Sequence, residues 1–212
     1  MATIQSDIVV ADKEPTHRAV FPCIAFQNIP RWFAHALLVL ICIIAIFFLH
    51  ELSHAAVVLA FGGRVIAINV LGIQWFPFFR YTPQYGYGGY VAWLIPPDSL
   101  RTHLIVVAGS TGTLLIAFCA AISLNAFRPR GLIRTALIAL SFYIADSLFH
   151  IIPVLHIPSN AAPPWVRSFS EAYFALVDLG VPGQDYVLLV FLSTAVILGL
   201  LALALIRTRT TP

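Results

Sequence analysis

Residues 34–63 read AHALLVLICIIAIFFLHELSHAAVVLAFGG. From Ala34 to Phe61 the run is almost wholly apolar, and it is longer than the about 20 residues an α-helix needs to cross a bilayer. Gly62 and Gly63 follow where a helix would stop, as glycine does at a C-terminal cap. The main polar break is His50, Glu51 and His54. Four residues of helix turn through about 400°, so His50 and His54 share one face, one turn apart. That spacing suits two ligands of one Zn²⁺, and Glu51 beside the first suits a general base. With seven histidines and three glutamates in the chain, chance would supply about 0.003 copies of this HExxH pattern. Three ionisable groups at the end of an apolar span are costly unless they are paired or functional. A solvated helix end is the bland alternative.

The rest of the chain fits the same solvent. Of 212 residues, 60% are hydrophobic and 10% charged, against roughly half and a quarter in a soluble domain. Three further stretches are long enough to span: His103–Phe127, Leu132–Leu155 and Tyr186–Ile206. Arg128, Arg130, Arg207 and Arg209 flank them as interfacial anchors would. The expectation is an all-α polytopic membrane protein with about four transmembrane helices. It comprises a polar tail and approach segment at 1–33, one membrane domain at 34–206 and a short tail at 207–212. The first thirty residues carry Asp7, Asp12, Lys13 and Glu14 and no apolar core, so they do not read as a signal peptide. No basic run interleaved with aromatics suggests nucleic acid. Cys23, Cys42 and Cys119 lie far apart and read as small hydrophobes.

Between the first two spans the texture changes. Val65–Val70 and Tyr85–Trp93 are rich in β-branched and aromatic residues and are broken by Pro77, Pro83 and glycines. They read as short strands, a small membrane-associated β region. Strand edges cannot face lipid, so this region lies against protein or at the water boundary. An exposed strand there, with Gly88, Gly89 and Tyr90, could hold a substrate by strand addition. Gly86, Gly88 and Gly89 could equally be turn residues. Residues 157–184 read as a Pro-punctuated loop with one amphipathic piece, Val166–Leu179.

A zinc site needs a third protein ligand and an open fourth position. Asp185, Asp146, His150, Asn160, Asp178, Asp98 and His103 are the candidates, and spacing does not choose among them. Asp146 could instead be a hydrogen-bonded packing residue, and Asp185 a helix N-cap. Asp146 and His150 also suggest a proton relay, although four spans without inverted repeats make a poor transporter.

His50-Glu51-Leu52-Ser53-His54-Ala55 with Gly62-Gly63, the Tyr/Gly-rich segment 64–97, Ala108-Gly109-Ser110-Thr111-Gly112-Thr113 and His150-Ile151-Ile152-Pro153 occur in that order. Together they resemble the site-2 protease family of intramembrane zinc metalloproteases (peptidase family M50), as a short and divergent member. The likeness covers about residues 35–205, and only the first motif is specific. It departs from the family at Ser110 and Thr113, where the family has Pro and Asn, and at His150, where it has Asn. The family's Leu-Asp-Gly segment is replaced by Ser159-Asn160-Ala161 after Pro158. A divergent branch places that Asp at the start of the last helix, which here implies Asp185 as third ligand, with Asp146 as second choice. The resemblance implies hydrolysis of membrane-protein or peptide substrates in the bilayer, in a multi-pass protein of the cell (inner) membrane. An inactive relative that binds transmembrane segments is the other reading. The arginines, counted by the positive-inside rule, put both termini in the cytoplasm and the HExxH end on the other face. The family carries its zinc nearer the cytoplasm.

Overall fold

The computed structural model describes residues 30–82, 88–96, 98–157 and 159–209. The N-terminal tail up to residue 29, with Cys23, and Pro83, Tyr85, Gly86, Tyr87, Pro97, Pro158 and residues 210–212 lie outside the described residues.

Helix α1 spans Arg31–Ala60 and ends in a turn closed by Gly63 N–H to Val58 O at 2.9 Å, with Gly62 at φ 72°. A Cβ at Gly62 would cost energy in that left-handed conformation, which glycine adopts freely. Strands β1 (Arg64–Val70), β2 (Ile73–Phe76), β3 (Arg80–Tyr81) and β4 (Gly89–Leu94) follow. Leu71 and Gly72 join β1 to β2 with both φ positive (52° and 77°), the geometry of a tight hairpin turn that matches strand twist. The sheet order is β3-β2-β1-β4, all antiparallel, with Asn69 opposite Tyr90 and Val70 opposite Gly89. The expected β region is therefore present, and β4 is an edge strand.

Helix α2 spans Ser99–Phe127, capped by Asp98, whose side chain accepts from the Arg101 N–H. Between Ile105 and Leu124 its buried face is made of small residues: Ala108, Gly109, Ser110, Thr113, Ala117, Ala120 and Ala121. Small side chains let backbones approach closely, the packing that serves helices in an apolar solvent. At Gly112 a Cβ would collide with the Ser53 hydroxyl of α1.

The third expected span is broken. Helix α3 covers Gly131–Ser141 and α4 Ile144–Ile151, with Phe142 and Tyr143 between them. Backbone bonds there step back three residues, Tyr143 N to Leu140 O and Asp146 N to Tyr143 O. Such a tight turn winds by about 120° per residue against 100° in an α-helix, so it rotates α4 relative to α3. Tyr143 donates its hydroxyl to Cys42 O at 2.6 Å, pinning the break to α1. The amphipathic piece is likewise two helices, α5 (Pro164–Phe169) and α6 (Glu171–Asp178), split at Ser170. Helix α7 runs Gly183–Arg209, starting before and ending after the expected span and absorbing part of the expected tail.

Among the described residues, four helical stretches are long and apolar enough to cross a membrane: Arg31–Ala60, Ser99–Phe127, Gly131–Ile151 and Gly183–Arg207. The bundle is inside-out by the standard of soluble proteins. Leu37, Leu40, Ile41, Leu115, Leu188 and Leu192 are exposed, whereas His50, Glu51, His54, Ser110, Thr113 and Ser147 are buried. One apolar cluster ties α2, α4 and α7 through Ala117, Ala121, Leu124, Ile144, Ile197 and Leu201. A second joins Ile151, Ala172, Tyr186 and Val190, and so fixes α6 against α4 and α7. The polar groups gather at the end where α1 and α4 stop and α2 and α7 begin. At the opposite end lie Arg31, Arg128, Arg130, Arg134 and Arg207.

Candidate metal centre

His50 and His54 leave α1 on one face, their ring centroids 4.9 Å apart. Each imidazole is held by its Nδ1. His50 donates from Nδ1 to Asp146 Oδ2 at 2.9 Å, and His54 donates from Nδ1 to the Ile105 carbonyl at 2.6 Å. Both Nε2 atoms then face the same point, and Glu171 Oε1 stands 3.1 Å from each of them. His50, His54 and Glu171 form a group able to hold a metal ion, with its ligand atoms all within 4.8 Å of one another.

The donor set fits a cation on two counts. With Nδ1 protonated, both Nε2 atoms carry lone pairs, so three acceptors converge with no hydrogen between them. Donors at 2.0–2.1 Å around a tetrahedral Zn²⁺ lie about 3.3 Å apart, close to the 3.1 Å seen here. The second count is Gly109. A Cβ there would fall on His50 Nε2 and His54 Nε2 together, so glycine keeps open the space the three ligand atoms surround. Three carboxylates, from Glu51, Asp146 and Glu171, line the same pocket, and buried negative charge needs a compensating cation.

Glu171 opens α6, outside the four long apolar stretches.

Around the three ligands lies one pocket, bounded by Phe47, Glu51, Phe149, His150 and Phe169 and by the β4 edge from Gly88 to Val91. Glu51 is buried, 6% exposed. Gly89 lies against it, since a Cβ at Gly89 would come within 2.5 Å of Glu51 Oε1 and 2.7 Å of Asn69 O. His150 stacks edgewise on His50 with centroids 5.2 Å apart, and its Nδ1 lies 2.9 Å from Ser110 Oγ.

The expected residues are thus distributed unequally. His50, His54, Glu51, Gly88, Gly89 and Tyr90 share the pocket. Asp146 is there too, but it bonds the outer nitrogen of His50 and is not one of the three converging groups. Asp185 is exposed in the first turn of α7 and is not part of the cluster. Glu171 occupies the position expected of it. The physical reason is the second apolar cluster: Ala172 and Tyr186 pack together, which brings α6 over the histidines and leaves the α7 start outside. Asp98 caps α2, Asp178 pairs with His103 (3.7 Å) and Arg167 (3.5 Å), and Asn160 is exposed. A signal for Glu171 was present: it is the first carboxylate after His150-Ile151-Ile152-Pro153. Comparison of the chain with protein-family models, with curated proteins and with solved structures finds no match.

Proposed function

We propose that this chain is an intramembrane zinc metallopeptidase, with the metal held by His50, His54 and Glu171 and with Glu51 as general base. The observation that carries the reading is the convergence of two imidazole Nε2 atoms and one carboxylate beside the buried acid Glu51, all opening on one pocket. The inside-out surface and the four long apolar helices support a multi-pass membrane protein of the cell membrane. Three protein ligands leave a fourth position free, the arrangement of catalytic rather than structural zinc.

Zinc at such a site supplies Lewis-acid polarisation of a carbonyl and lowers the pKa of a water it binds to about 7. The rest of the chemistry falls to the chain. Glu51 adjoins a ligand histidine and lines the same pocket, so its carboxylate can take a proton from the attacking water and return it to the leaving nitrogen. Phe47, Phe149 and Phe169 wall the pocket against bulk water, which strengthens each polar interaction inside it. The β4 edge runs past Glu51, and its free backbone groups can take a substrate in extended form, which exposes a scissile bond that a helix would hide. Gly89 of that strand lies against the acid, with Gly88 and Tyr90 beside it in the same pocket.

Reconstituted in vesicles, the purified protein should cut a peptide carrying one transmembrane segment. Chelation of zinc should stop the reaction, and zinc added back should restore it. In the same assay Gly89→Ala should lose most cleavage and keep its zinc, because the added methyl displaces the Glu51 carboxylate and not a ligand. Cleavage that survives chelation would refute the metallopeptidase reading, and full activity in Gly89→Ala would refute a catalytic role for the Glu51 carboxylate held against Gly89.

A further inference from the structure

We propose that Asp146, held in turn by Thr113, is a positioning residue that sets the tautomer of His50 and thereby makes its Nε2 available as a ligand. This rests on the metal-binding reading above.

An imidazole carries its single neutral-state proton on one nitrogen or the other, and a metal takes the one without it. For His54 the choice is made by the backbone, since the Ile105 carbonyl can only accept from Nδ1. For His50 the choice is made by a side chain, the ionised carboxylate of Asp146 at 2.9 Å, which also can only accept. The two ligands are therefore oriented by different devices, and one of them can be removed by mutation.

Thr113 completes the arrangement. Its side chain is fully buried, and Oγ1 lies 2.7 Å from the same Asp146 Oδ2 and 3.0 Å from Ser110 O. A hydroxyl has one proton to give. If Thr113 gave it to Ser110 O, its own oxygen would face an anionic oxygen at 2.7 Å with nothing between them. The proton therefore goes to Asp146, where the bond is shorter and charge-assisted. Oδ2 then accepts from two donors, from α1 and α2 together. Asp146 reaches this place because the tight turn at Phe142-Tyr143 rotates α4. A carboxylate on the outer nitrogen also raises the basicity of the ligand nitrogen.

Zinc affinity, measured by competition with a chromogenic chelator on detergent-purified protein, tests the proposal. Asp146→Asn keeps the shape but replaces the anion with a neutral amide, and should weaken zinc binding about 10- to 100-fold. Thr113→Val should weaken it in the same direction, and Thr113→Ser, which restores the hydroxyl, should recover the wild-type value. Ser147→Ala is the control. It removes a buried hydroxyl from the same helix, one that bonds Ser110 O at 3.3 Å, and should leave zinc affinity unchanged. If Asp146→Asn binds zinc as tightly as wild type, the proposal is overturned. If Asp146→Asn does not fold, the threonine pair decides: equal affinity in Thr113→Val and wild type overturns it. Wild-type protein that binds no zinc would overturn the metal reading itself, a result distinct from either.

Discussion

Glu51→Gln should retain zinc at the wild-type level and lose cleavage by about 10²- to 10⁴-fold. That loss corresponds to about 3–5 kcal/mol on the barrier. The size follows from what the substitution removes. An amide fills the same volume in the same buried place but cannot take a proton from water, so the pocket and the ligand set stay intact while proton transfer fails. Glu51 is not one of the three converging groups, so metal content should not follow activity downward. Steady-state cleavage beside zinc analysis of the same preparation checks both halves. Unchanged cleavage in Glu51→Gln would remove the general base from the account. Loss of zinc would mean that Glu51 is a ligand.

The second large effect belongs to Glu171. Removing its side chain takes away one of three ligand atoms and the only negative charge among them. Two neutral imidazoles remain, and such a pair holds a divalent ion far less well than the same pair with a carboxylate. The geometry makes no substitute available. Asp146 is committed to the outer nitrogen of His50 and to Thr113, and Asp185 is exposed on a different helix. Glu171→Ala should therefore leave the purified protein with little or no zinc, whereas Asp185→Ala should leave zinc content where it was.

The helices and the two converging histidines were legible in the sequence because both are local. A continuous apolar run declares a helix of membrane-crossing length, and two histidines four apart share a face whatever the rest of the chain does. The β region was legible for the same reason: Val65–Val70 is a β-branched run that declares a strand from its own composition. The break in the third span was not, since no glycine or proline marks Phe142-Tyr143 and the turn there is tied to α1 by the Tyr143 hydroxyl, a contact far away in the chain. The third converging group, Glu171, was hidden more deeply. Sequence put weight on Asp185 because it opens the last helix, as the third ligand does in a divergent branch of the family it resembles. What places a carboxylate over His50 and His54 is the packing of Ala172 against Tyr186 and Ile151, which no spacing encodes. Asp146 was legible as a buried acid of consequence, but the nitrogen it meets depends on the rotation of α4.

The ligand assignment of Glu171 is the claim on which the rest depends. The most direct measurement is zinc per chain, by atomic emission on washed protein, in wild type, Glu171→Ala and Asp185→Ala prepared side by side. The account predicts about one zinc per chain in wild type and in Asp185→Ala, and close to none in Glu171→Ala. Full zinc in Glu171→Ala together with loss in Asp185→Ala would contradict it and move the third ligand to the start of α7.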